Sequence, residues 1–258
     1  MLTLIDLSSV YWPAYFGSKS GTSAYEYTVG LLMEQREKSD RVVVCCDHPQ
    51  LLRRDWHPDY KANRAEKPAD AIEALVSVEQ QAKRLALPLL KENGFEADDL
   101  IATLCAQAWE EITIVGQDKD LVQLLTDEVK MLTPKHGLVG PEYCERKFGV
   151  RTDQLRDWLA LAGDASDNIT GCPKVGPGKA TDLLQLFGDI EEIKRRAADD
   201  PAAILAVPGI GKTVLFSIQE WDPTTDISMA TLMSDAPVSL EHLWDEDDAR
   251  EPDDENLF

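Results

Sequence analysis

Apolar positions along the chain fall into two patterns. Residues 2–7 (LTLIDL), 41–47 (RVVVCCD), 112–116 (ITIVG) and 129–133 (VKMLT) are short runs rich in β-branched residues, and they predict buried strands. Helix-length segments at about 24–38, 68–86 and 97–110 lie between them, so strand and helix alternate. That order favours a parallel sheet covered on both faces, an α/β architecture. Beyond about residue 140 the strand signal fades. PEYCERKFG, RTDQLRDWLALAG and GKATDLLQLFG show helical spacing, with Gly149, Gly163 and Gly188 at their C-terminal ends. The expected organisation is an α/β core over 1–140, a helical region over 141–222, and an extension over 223–258 ending in an acidic, mobile tail.

The chain has 258 residues and a formal net charge of −21, from 26 Lys+Arg against 47 Asp+Glu. Taken alone, this charge opposes binding to anything as anionic as nucleic acid. No apolar run approaches the roughly 18 residues that span a bilayer, and MLTLIDLSSVYW lacks a basic, cleavable leader. A soluble cytoplasmic protein without membrane contact, in a bacterial or phage-infected cell, is expected. Five cysteines without a CxxC, and four histidines not clustered with them, argue for reduced thiols and against structural zinc.

Position makes the acids more informative than their number. Asp6 and Asp47 end predicted strands, where open α/β folds bind ligands. Glu96, Asp98 and Asp99 open a helix in EADDL, where capping is an equally good account. Asp118 and Asp120 follow the strand ITIV, two apart and pointing the same way in extended backbone. Asp164 and Asp167, three apart in GDASDN, are neighbours on a turn or helix, or simply an Asx-turn. Nine carboxylates without clustered His or Cys suit Mg²⁺ or Mn²⁺. Two such ions would form the clamp used for in-line displacement at phosphorus, which points to phosphodiester hydrolysis.

The ordered strings LIDLSS, CDHP, YKANR, EADDLIATL, VGQDKDLVQLL and GDASDNITGCPKVGPGKATDLLQLFG, over residues 2–190, resemble the 5′ nuclease (flap endonuclease) family, in its bacterial and phage branch. The resemblance implies a PIN-like nuclease core, an arch over the active site at about 50–67, and a helix-hairpin-helix-type (H3TH) module that grips duplex DNA. It implies that Asp6, Asp47, Glu96 and Asp98 surround a first metal, with Asp99 in the same cluster, and that Asp118, Asp120, Asp164 and Asp167 surround a second. Lys61 and Arg64 would meet the scissile phosphate, and Tyr60 would stack on a base.

The arch carries Arg53, Arg54, Lys61, Arg64 and Lys67 against three acids, so Arg53, Arg54 and Lys67 are expected on DNA. In GCPKVGPGKA, Gly176 and Gly178 would let backbone N–H groups approach phosphates, with Lys174 and Lys179 adding charge. The resemblance also implies a K⁺ held by hairpin carbonyls. His48 and His57 are read as surface or packing residues and Trp56 as packing. VPGIGKT lacks the glycine a phosphate-binding P-loop needs at position 206, which is Ala206, so no ATP site is expected. A helix start is the favoured reading there, with a second DNA-facing hairpin left open.

The expected activity is a 5′ to 3′ exonuclease and flap endonuclease acting on ends, flaps and gaps of DNA, with RNA primers in RNA–DNA hybrid as further substrates. The alternatives are a PIN-type ribonuclease and a DNA-structure-binding protein without catalysis. A monomer is expected. Residues 244–258 hold eight acids against one arginine and end in Leu257-Phe258, a pattern similar to the tip of bacterial single-strand-binding proteins, which suggests a replisome contact. With nine acids assigned to the site and a net −7 to the tail, the rest of the chain is left near −5. The acidity thus becomes a reason to expect a metal-dependent nuclease.

Overall fold

The computed structural model describes residues 1–244. Strands β1 (Leu2–Asp6), β2 (Arg41–Cys45), β3 (Leu89–Leu90), β4 (Ile112–Val115), β5 (Val129–Thr133) and β6 (Gly137–Val139) form one sheet in the order β3-β2-β1-β4-β5-β6. All neighbours are parallel except β5 and β6, which form an antiparallel edge. Strand direction and helix cover follow from the apolar runs. With side chains alternating at period two, Ile5, Val42 and Val44 pack to one face, whereas Leu2, Leu4, Val43 and Cys45 pack to the other.

The first face is covered by α1 (Leu7–Ser18), α2 (Gly21–Lys38) and α4 (Ala69–Arg84), with the short α3 (Leu52–Trp56) between β2 and α4. The second is covered by α5 (Ala97–Gln107), and the same core continues into the helical half. That half comprises α6 (Glu142–Phe148), α7 (Leu155–Ala162), α8 (Pro177–Phe187), α9 (Ile190–Asp199), α10 (Pro201–Leu205), α11 (Lys212–Glu220) and α12 (Thr224–Ala230). Residues 207–211 lie between α10 and α11. Leu183 and Leu184 are buried on α8, whereas Leu186 is exposed.

The extension does not trail away from the fold at residue 223. Helix α12 packs on α7, and residues 231–240 return along α5 as an extended strap. Three α5 side chains spaced four apart, and so on one face, accept the strap's amides. Asp99 takes Met233 N (2.8 Å), Thr103 takes Ala236 N (3.1 Å) and Gln107 takes Leu240 N (2.8 Å). The tail 245–258 lies outside the described residues.

Helix α1 contains Pro13, which has no N–H to donate to the carbonyl four residues back. That carbonyl, of Ser9, is met instead by Gln117 Nε2 at 3.1 Å, and Gln117 N donates to Ser9 Oγ at 3.2 Å. A Cβ on Gly116 would lie 2.6 Å from Ser9 Oγ and would push that hydroxyl off Gln117 N, so glycine lets the β4 loop keep this contact. The start of α1 and the loop carrying Asp118 are thereby locked together beside β1 and β4, where the strand order reverses. In open α/β sheets this is the crevice that binds ligands.

Candidate active site

All nine carboxylates belong to five segments at or near the carboxyl edge of the sheet. Asp6 caps α1, its Oδ1 accepting Ser9 N at 3.0 Å. Asp47 follows β2. Its Oδ2 accepts Ser8 Oγ at 2.6 Å, and its Oδ1 accepts the first amide of α5, Ala97 N, at 3.0 Å. Acids are favoured at such helix starts by orphan amides and the helix dipole. Here capping and clustering coincide. Asp6, Asp47, Glu96, Asp98 and Asp118 line one cleft of about 470 Å³, with Trp12, Pro13 and Phe16 forming its apolar side.

Two groups are tight. Ligand oxygens of Glu96, Asp98 and Asp99 lie within 4.8 Å of one another, as do those of Asp120, Asp164 and Asp167. Asp118 shares the first cleft while its Oδ1 accepts Asp120 N at 2.9 Å, so it joins the two groups. Crowding is visible in the titration of these groups. Burial, and then the charges of Asp47 and Asp118, push the Asp6 carboxyl up to about 8. Burial and Asp118 push Asp120 up to about 7. Burial, Glu96 and Asp99 likewise raise Asp98.

Cations offset part of this repulsion. Lys61 bonds Glu96 Oε1 and lies 3.6 Å from Asp167, while Arg64 bonds Asp167 at 2.6 Å. Burial opposes the charge on Glu96, but Lys61 and Arg53 outweigh it and hold the carboxyl below its usual range. Lys119 lies 2.6 Å from Asp164 and 3.2 Å from Asp120. It and Ser166 hold Asp164 low against burial. Lys119 is not among the residues expected from sequence. Its placement between two acids in QDKD was the available signal.

Do these residues fit divalent cations? Asp98 Oδ1 is buried without a hydrogen-bond partner, and Asp120 Oδ1 and Asp164 Oδ2 meet only the Lys119 ammonium, outside hydrogen-bond alignment. Oxygen donors crowded this closely, partly unpaired and short of neutralising charge, fit hard ions such as Mg²⁺ or Mn²⁺. Asp99 differs. Its Oδ1 accepts Arg53 Nη2 (2.6 Å) and Met233 N, and its Oδ2 accepts Arg53 Nη1 (2.7 Å) and Glu96 N (3.1 Å). All four lone-pair positions are thus used by the protein, although the residue belongs to the first group by distance.

Three expectations for the arch need correction. Arg53 is 2% exposed, bonded to Glu96, Asp99 and the Thr231 carbonyl, so it cannot reach DNA. It lies on the inner side of α3, whereas its neighbour Arg54 is exposed beside a second cavity of about 530 Å³. Tyr60 is buried and its hydroxyl donates to Glu96 Oε2 at 2.8 Å, so its ring has no open face on which to stack a base. Trp56, expected to pack, is 54% exposed. His57 contacts Ser228 at 3.2 Å, and His48 bonds the local backbone.

The rest of YKANR forms turns laid on the GDASDN loop. Asn63 donates to Ala165 O, Arg64 to Ser166 O, and Asn168 back to Asp59 O. Lys67 is exposed, with its ammonium 4.2 Å from the Trp12 ring centroid. The two cavities share Trp12, Asp47, Lys61, Arg64, Lys67 and Glu96, so space adjoins both sides of this segment.

In the hairpin before α8, Lys179 Nζ donates to Lys174 O at 2.9 Å, so one hairpin carbonyl already meets a cation. A Cβ at Gly176 or Gly178 would meet nothing within 4 Å, and both positions face open space. The glycines the fold itself demands are Gly163 and Gly171. Both have positive φ, and a Cβ on Gly171 would lie 2.4 Å from Gly163 N. Asp226 Oδ1 accepts Gly171 N at 3.2 Å and fixes the start of the hairpin.

Comparison with known proteins agrees with this arrangement. Residues 1–149 match the family model described as 5′-3′ exonuclease, N-terminal resolvase-like domain, and residues 150–253 match 5′-3′ exonuclease, C-terminal SAM fold. The chain is similar to DNA polymerase I of Deinococcus radiodurans, 34% identical over 252 residues, covering 93% of this chain and 26% of that protein. It spans about a quarter of the length of the curated DNA polymerase I relatives it matches. Its fold is similar to that of the T5 5′-exonuclease with bound divalent zinc ions, at a TM-score of 0.74 and 21% identity, covering 90% of this chain and 89% of that one. It is also similar to a bacteriophage T5 flap endonuclease in a complex with DNA and metal ions, at a TM-score of 0.70 and 19% identity, covering 90% and 88%.

Proposed function

The chain belongs to the 5′-3′ exonuclease family, and on that premise we propose that it is a metal-dependent 5′ to 3′ exonuclease and structure-specific flap endonuclease. Carboxylates from five segments that converge at the sheet's switch point, six of them in two tight groups and Asp6, Asp47 and Asp118 lining the cleft beside the first, are the observation that carries this reading. Asp6, Asp47, Glu96 and Asp98 would hold one divalent ion. Asp120, Asp164 and Asp167 would hold a second, with Asp118 between them. Mg²⁺ or Mn²⁺ fits the all-oxygen donor set. When bound, such ions supply Lewis acidity at the phosphodiester and charge for the leaving oxygen.

The chain's own residues provide the rest. Lys61 and Arg64 stand beside both carboxylate groups, where they would offset charge developing on a phosphate. Ser8 and Ala97 N hold Asp47, and Ser166 holds Asp164, so ligands are fixed before substrate arrives. Lys174, Lys179 and the open backbone at Gly176 and Gly178 would grip duplex phosphates without reading sequence, with a K⁺ at the hairpin carbonyls. Arg54 and Lys67 are the arch cations free to face DNA. Duplex DNA with a 5′ end, flap or gap is the proposed substrate, acted on by a monomer in the cytoplasm, and RNA paired to DNA would fit the same sequence-blind grip. Contact with a replisome protein through the acidic tail concerns residues outside those described.

The test uses a 5′-labelled flap duplex, an RNA–DNA hybrid and a single-stranded RNA, each with Mg²⁺ or EDTA. Metal-dependent release of short 5′ products from the flap is expected. Asp118→Ala should abolish cleavage while substrate binding stays near normal. Binding without cleavage would leave a structure-binding protein, and cleavage of the single-stranded RNA alone would leave a PIN-type ribonuclease.

A further inference from the structure

Arg53 is the one guanidinium among the described residues that is almost fully enclosed, and the proposed nuclease chemistry gives it no step to perform. Its fork holds two acids at once. Nη1 donates to Glu96 Oε2 (2.9 Å) and Asp99 Oδ2 (2.7 Å), while Nη2 donates to Asp99 Oδ1 (2.6 Å) and to Thr231 O (2.6 Å). Glu96 Oε2 also accepts the Tyr60 hydroxyl, so both of its lone-pair positions are taken. Only Oε1, which also accepts Lys61 Nζ, keeps a lone-pair position for coordination. Asp99, filled by four donors, carries the connection onward to Met233 of the strap.

We propose that Arg53 and Asp99 are positioning residues that hold Glu96 so that it offers a single oxygen to a divalent ion, and that they tie this ligand to the strap at residues 231–240. The proposal rests on the metal-dependent reading of the site. Planar, bidentate geometry is what an arginine supplies and a lysine cannot. Partners that orient a ligand typically govern about 10–100-fold in metal affinity. The strap braces this arrangement, since the Thr231 carbonyl accepts from Arg53 and the Met233 amide donates to Asp99.

The sign of the effect separates positioning from charge. A cation beside a dication site repels the ion, so removing it should tighten binding if charge alone mattered. Positioning requires the opposite. Mn²⁺ affinity of the 258-residue chain, measured by calorimetry without DNA, should fall about 10–100-fold in Arg53→Met. It should also fall, by less, in Arg53→Lys, which keeps the charge and loses the fork. Arg41→Met, at the opposite end of the sheet and paired with Glu110, is the control and should match the parent. Amide exchange at Met233 should slow when Mn²⁺ binds the parent protein, and this response should be lost in Arg53→Lys, because coupling between two sites is reciprocal.

Equal or tighter Mn²⁺ binding by a folded Arg53→Met, or an Arg53→Lys indistinguishable from the parent in both affinity and Met233 exchange, overturns the proposal. If Arg53→Met does not fold, Arg53→Lys alone decides by the same two readings. A parent protein that binds no Mn²⁺ would instead remove the metal-dependent reading itself.

Discussion

Crowded, partly neutralised carboxylates make the stability of the metal-free protein depend on pH in an unusual direction. Asp6 and Asp120 have carboxyls pushed up to about 8 and about 7, against about 3.8 when unfolded. Between those limits the folded chain keeps protons that the unfolded chain has released. Raising the pH through that window therefore favours unfolding. One such group contributes a slope of at most about 1.4 kcal/mol per pH unit, and two together about 2.7. Because the acids share charge with Asp47 and Asp118, a loss of about 1–5 kcal/mol between pH 5 and 7.5 is expected. That is a visible share of a domain's usual 5–15 kcal/mol or so.

Glu96 and Asp164, held low by Lys61, Arg53 and Lys119, act in the other direction but in another range. Their contribution is present above the usual carboxylate pKa and is lost only in acid. The measurement is urea unfolding in EDTA at half-unit pH steps from 5 to 8, repeated in saturating Mg²⁺. In EDTA the midpoint should fall as pH rises. In Mg²⁺ the fall should disappear or reverse, because the ion binds the ionised acids and releases their protons. A flat or rising midpoint in EDTA would falsify the idea that crowding keeps Asp6 and Asp120 protonated in the folded chain.

Three other outcomes follow from contacts in the hairpin and the α1 crevice. Gly171→Ala must place a non-glycine residue at φ 73° with its Cβ against the Gly163 backbone. It should cost about 2 kcal/mol or more in thermal unfolding and weaken duplex binding. Replacing Lys174 and Lys179 together by alanine should weaken duplex binding equally for unrelated sequences and reduce the slope of log K against log salt by about 2, as read by fluorescence anisotropy; an unchanged slope would place the hairpin away from phosphate. Gln117→Ala leaves the Ser9 carbonyl without its Nε2 donor, and should lower kcat several-fold through a looser Asp118, with duplex affinity in EDTA unchanged.

The strands were legible because the sheet buries them on both sides, so continuous apolar runs marked four of the six to within about two residues. The carboxylates were legible because strand ends and helix starts are where a chain can bring distant acids together. Other features left no local trace. Helix α1 has aromatic and apolar side chains around much of its circumference and a proline inside it, which hides its period. Strands β3 and β6 have two and three residues, too few to show alternation. Nothing in the pair Arg53-Arg54 says which one turns inward, because the choice is made by Glu96, Asp99 and Thr231, from 43 to 178 positions away. The strap shows only a weakening pattern in sequence for a similar reason. Its polar groups are satisfied by the side of a helix rather than by a repeating ladder of its own, so it has no period to detect.

The strap also sets an order of events during synthesis. All nine carboxylates have been synthesised once the chain reaches Asp167, but Thr231, Met233 and Ala236, which bond Arg53, Asp99 and Thr103, come later. At about 5–20 residues per second, that interval lasts on the order of 4–15 s. Throughout it the acidic cluster is synthesised but not walled in. A chain ending at α12 would carry all nine carboxylates yet lack the Thr231 carbonyl and Met233 amide that brace Arg53 and Asp99, so the firm placement of Glu96 would arrive with the strap, after the acids themselves.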